Sequence, residues 1–102
     1  MKLGTQIAYI PNHVRYSDND KNKFNHSDTE YGFVTSINVN GTIFCRFWRK
    51  GSRTELRTTA NSEGCNKDDL YECPNYVDQE IINKFLVSLN YYPLPIGLQL
   101  KQ

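Results

Sequence analysis

Apolar side chains recur at every second position through most of this chain, and at every fourth only near its end. In "GTQIAYIP", Ile7 and Tyr9 alternate with Gln6 and Ala8. A first strand is predicted there, ending at Pro11, which has no N–H to give to a ladder. Residues 12–29, "NHVRYSDNDKNKFNHSDT", have few apolar anchors and read as one long polar loop, a length at which loops are usually functional or mobile.

The clearest pattern is "YGFVTSINVNGTIFCRFW", two β-rich runs around Asn40 and Gly41. Both residues tolerate the positive φ of a type I′ turn, so a hairpin with a two-residue loop is predicted. That loop sets Val39 opposite Thr42, Ile37 opposite Phe44, Thr35 opposite Arg46 and Phe33 opposite Trp48. On the other face, Val34 meets Phe47, Ser36 meets Cys45 and Asn38 meets Ile43. Both faces are partly apolar, so the ribbon needs cover on both sides or presents rings to a partner. The Val34, Cys45 and Phe47 face is the better core candidate.

After Lys50-Gly51-Ser52, "TELRTT" is expected to pair back as a strand. "ANSEGCNKDDLYECPN" reads as loop, with Leu70 and Tyr71 in a last short strand or helical turn. In "NYVDQEIINKFLVSLN", Val77, Ile81, Phe85 and Leu89 repeat every four residues beside Ile82 and Leu86. This is an amphipathic stripe, capped at Asn75 or a neighbour and stopped by Pro93. The expected architecture is a single domain, mainly β (α+β). A small SH3-like barrel of four or five strands occupies 1–74, a C-terminal amphipathic helix 75–90, and an extended tail 91–102. An OB-fold would need longer strands and ranks second.

At 102 residues, with 38% hydrophobic and 13% aromatic side chains, the chain supports one modest folded core. It has no apolar run of about 18 residues and no long apolar segment at its start, so a soluble, cytoplasmic protein without membrane partners is expected. Three cysteines, an odd number, suit reduced thiols better than a disulfide framework. The formal charge of +1 conceals an asymmetry. Residues 44–59 hold five basic side chains and one acidic, whereas the rest of the chain holds seven basic and ten acidic.

That basic stretch is the leading functional candidate. Arg46, Arg49, Lys50, Arg53 and Arg57 could neutralise phosphates while Phe44, Trp48 or Tyr31 stack on unpaired bases. The competing reading seats the helix on Phe44 and Trp48 and leaves the cations as a solvated cluster. His26, Asp28 and Glu30 alternate and, with His13, form a possible loop site for acid–base chemistry or a metal. Nothing supplies a nucleophile, a phosphate loop or a further ligand at a diagnostic distance. A structural role, with the carboxylates accepting backbone N–H bonds, is the alternative. The spacing of Cys65 and Cys73 is unlike that of zinc ribbons, and Cys45 reads as a small buried hydrophobe. No catalytic residue, metal or cofactor is expected, and the chain is read as no enzyme.

The positions Gly4, Tyr9, Pro11, His13, His26, Asp28, Glu30, Gly32, Arg46 and Phe47 resemble a pattern seen in small phage and prophage proteins of unassigned activity. The resemblance spans roughly residues 4–72 and leaves the helix outside. It implies an SH3-like barrel and, by size and setting, a host-takeover or anti-defence role of which anti-CRISPR proteins are one group. The implied partner is RNA, DNA or a nucleoprotein such as a CRISPR effector. Two other readings remain: a protein-interaction or virion-assembly module, and a sequestering pocket for a nucleotide signal.

Overall fold

Five short strands, β1 (Gln6–Tyr9), β2 (Glu30–Ile37), β3 (Ile43–Phe47), β4 (Glu63–Cys65) and β5 (Leu70–Glu72), form one curled antiparallel sheet in the order β4-β3-β2-β1-β5. The coordinates are a computed structural model that describes residues 1–16, 23–57 and 62–90. The predicted tail therefore lies outside the described residues, as do parts of the predicted polar loop and of the "TELRTT" strand.

β1 lies between β2 and β5, and Gln6, Ile7 and Ala8 are all buried. Alternation along the strands then divides the interior in two. On one face Ile7, Val34, Ile43, Cys45, Phe47 and Leu70 pack together. On the other, Phe33 and Trp48 pack with Val77, Ile82 and Leu86.

The hairpin forms, but not with the predicted pairing. Asn38 N–H bonds to the Thr42 carbonyl at 2.9 Å, and Gly41 N–H to the Asn38 carbonyl at 3.0 Å. Only Gly41 of the loop has positive φ, +94°. The loop is thus three residues, a turn followed by a left-handed glycine, and Asn40 instead accepts the Thr42 N–H at 3.0 Å. A second slip, a bulge between Val34 and Ser36, leaves Phe33 opposite Arg46 and Val34 opposite Cys45.

Beyond β3, Trp48 forms an isolated bridge with Leu56, closed by Arg49 N–H to Glu55 O (2.8 Å) and Arg57 N–H to Phe47 O (3.0 Å). The chain therefore turns back here over a short irregular ribbon. The strand that pairs with β3 is instead Glu63–Cys65, in the segment read as loop.

A single helical turn, α1 (Asn12–Arg15), sits inside the predicted polar loop. The longer helix, α2 (Gln79–Ser88), starts later than predicted, because Asp78 rather than Asn75 caps it, accepting Glu80 N–H at 3.0 Å. The preceding turn is anchored by buried Gln6. Its amide donates to Val77 O at 2.9 Å and accepts Val77 N–H at 3.1 Å. Ile82 and Leu86 are buried while Asn83 and Lys84 face outward. Among the described residues, no helix is long and apolar enough to cross a membrane.

Candidate functional site

The start of β2, the end of β3, the ribbon over 49–57 and the segment before α2 enclose a cleft of about 800 Å³. Seven of the ten predicted site residues line it: His26, Glu30, Trp48, Arg49, Lys50, Arg53 and Arg57. Four cations thus face one carboxylate, that of Glu30.

These cations are not equivalent. Arg57 reaches Glu30 at 2.8 Å and Glu63 at 2.5 Å and lies over the Phe47 ring, its guanidinium 5.1 Å from the ring centre. It clamps β2 to β4, which is a structural task. Arg49 pairs with Glu55 across the ribbon at 2.7 Å, and both side chains are largely exposed, so that pair contributes little to stability. Lys50 donates to the Ser27 carbonyl. Arg53 donates from Nε to Tyr76 O at 3.0 Å, with its guanidinium 4.3 Å from the Tyr76 ring centre. Tyr76 in turn stacks on Tyr31 at 4.2 Å with an interplanar angle of 5°. Among the described residues, Lys50 and Arg53 make no salt bridge.

Two predicted contacts are corrected. Trp48 is 3% exposed and packs edge-on against Phe85 of α2 at 5.4 Å, so its ring is no stacking platform. Its indole Nε1, like Arg57 Nε, is buried without a hydrogen-bond partner among the described residues. Arg46, expected with its neighbours to neutralise phosphates, is buried opposite Phe33 and does not line the cleft. Phe44 stays outside the helix-covered cluster, half-buried over Gly64.

The predicted loop site divides. His13 Nε2 bonds Asp28 Oδ2 at 2.7 Å, Asp28 N–H donates to His26 Nδ1 at 3.0 Å, and the two imidazoles meet edge-on at 6.1 Å. The His13 hydrogen bond holds the Asp28 carboxyl below its ordinary range, against a smaller opposing effect of desolvation. Glu30 is turned away to Arg57. Among the described residues, no group of three or more His, Cys, Asp or Glu side chains is placed to hold a metal ion.

Sequence reasoning missed Tyr76, which orients Arg53; Cys73, weighed there only against a zinc site, also lines the cleft, and burial pushes its thiol up. Tyr76 follows Pro74 and Asn75 directly before the helix, where only a cap signal was read. Comparison with protein-family models, curated proteins and solved structures finds no match to this chain.

Proposed function

We propose that this chain is a non-enzymatic binding protein of phage or mobile-element type. It captures phosphate-bearing nucleic acid at the cleft and thereby blocks a host nucleic-acid-handling or defence complex, as anti-CRISPR proteins do. The observation that carries the reading is that Lys50 and Arg53 line one cleft with no salt bridge among the described residues, beside Arg49 and Arg57, which are paired with carboxylates. Their spacing along the chain gave no assurance of this.

The strand order supports an SH3-like barrel: a four-strand meander whose fifth strand returns to β1, with a 3-10 turn at Lys67–Asp69 immediately before it. In this reading α2 is the amphipathic cover of the sheet's second face, and the cytoplasm of a bacterial host is the place of action. The assembly-module reading rests on Trp48 or a tail tyrosine; Trp48 is taken into the interior, and the tail lies outside the described residues.

Anisotropy of labelled single-stranded RNA and DNA at low salt tests the proposal. Lys50→Glu with Arg53→Glu is expected to weaken binding by at least about tenfold, at roughly one charge-assisted contact per side chain. Affinity unchanged in the double variant, with its fold intact, overturns the reading.

A further inference from the structure

We infer that the cleft is a single-nucleotide site. It takes one nucleoside phosphate, the phosphate at the rim on Lys50 and Arg53 and the nucleoside within. The inference rests on the reading of the cleft as a phosphate site and narrows it from a groove for a strand to a pocket for one residue. Two sources share this chemistry, a free nucleotide and the terminal nucleotide of a strand.

Two observations lead here. First, a groove that tracks single strands offers aromatic rings with open faces to successive bases. Here Tyr76 is enclosed between Tyr31 and Arg53, and Trp48 lies under α2. Of the described rings lining the cleft this leaves Phe24, which is 39% exposed, and Tyr31 to meet a base, which suits one nucleotide better than successive bases of a strand, and about 800 Å³ suits a small ligand.

Second, the rim is preorganised. Arg53 is fixed through Nε and its guanidinium plane by Tyr76, which leaves its terminal nitrogens to form a fork. Lys50 is anchored by the Ser27 carbonyl. With neither held in a salt bridge among the described residues, the pair suits a terminal phosphate. That group carries close to two negative charges, where an internal diester carries one.

Trp48 is the chain's only tryptophan, so its emission reports on the cleft directly. The protein is titrated with AMP and UMP, with the corresponding nucleosides, and with labelled eight-nucleotide RNAs bearing a phosphate at the 5′ end, the 3′ end or neither. A saturable emission change with monophosphates but not nucleosides, or a gain of at least about tenfold from one terminal phosphate, supports the site. The first outcome assigns a free nucleotide and the second a strand end. Arg53→Ala and Lys50→Ala are each expected to remove the response while circular dichroism stays unchanged.

RNA that binds equally well with and without terminal phosphates, while monophosphates stay silent, overturns the single-nucleotide site and leaves the nucleic-acid reading standing. Monophosphates that bind when no strand does leave the site standing and remove the nucleic-acid reading. No binding of either kind overturns both.

Discussion

At Gly32 the missing side chain is what allows β2 and β3 to come together. A Cβ there would stand 2.1 Å from the Arg46 carbonyl oxygen and 2.9 Å from Phe47 Cα. These are backbone atoms that cannot rotate away. Gly32→Ala is therefore expected to destabilise the protein by at least about 2 kcal/mol through overpacking, read from urea denaturation. A change within about 0.5 kcal/mol would mean that the strands do not approach this closely. The sequence pattern marked Gly32 without a reason, because the reason belongs to a neighbouring strand. Asp28 makes a different kind of local prediction. Its carboxyl is held below the ordinary value by His13, so the folded state gains from its charge at pH above the unfolded value of about 3.9. That gain is lost as pH falls through the depressed folded value. Asp28→Asn should lower stability slightly at neutral pH and flatten the acid limb of a thermal-stability profile, so that the two proteins converge below the depressed value. The effect is modest, since His13 and Asp28 are both more than half exposed. An acid limb identical in the two proteins would show that the pair does not form.

The elements show what periodicity can reach. Period-two alternation correctly assigned Val34, Cys45 and Phe47 to one core face and Phe33 and Trp48 to the other. It did so with the wrong cross-strand partners. A three-residue loop and a bulge at Thr35 each move the register by one, and two odd slips restore the face while changing every neighbour. Asn-Gly serves both a two-residue turn and the last two positions of a three-residue one, so the dipeptide alone does not choose. β4 was illegible for another reason. Glu63–Cys65 is short, contains a glycine and has no apolar period; it is a strand because β3 offers it backbone partners. The docking of α2 was half legible: the stripe of Ile82 and Leu86 was visible, but the role of Gln6 was not. A polar residue alternating with Ile7 reads as solvent-facing, yet Gln6 is 5% exposed and pairs with the Val77 backbone like a ladder rung. Gln6→Leu keeps the size and strands both backbone groups, each costing about 1–3 kcal/mol when buried and unpaired. Equilibrium unfolding should show a loss of at least about 2 kcal/mol, with Trp48 emission shifted as the helix loosens. Full stability in the variant would mean that packing alone holds the helix.

Over the whole molecule, the arrangement of charge matters more than its total of +1. Composition could count the cations of residues 44–59 but not see which are already neutralised, since Glu30 is 27 positions from Arg57 and on another strand. The fold assigns Arg49 to Glu55 and Arg57 to Glu30 and Glu63, leaving Lys50 and Arg53 without a salt bridge among the described residues. This division is measurable, because each phosphate charge newly neutralised on a single strand releases counterions and adds about −0.7 to the slope of log K against log salt. Two available cations give a slope of about −1.4, and all four would give about −2.8. Glu55→Gln releases Arg49 and is expected to steepen the slope to about −2.1 while lowering stability little, since the broken pair is exposed. The measurement is RNA affinity between about 50 and 200 mM salt for both proteins. A native slope near −2.8 would mean that the internal ion pairs open to meet the ligand. The carboxylates around the cleft would then be competitors displaced on binding, and the preorganised rim formed by Lys50 and Arg53 would not be what selects the phosphate.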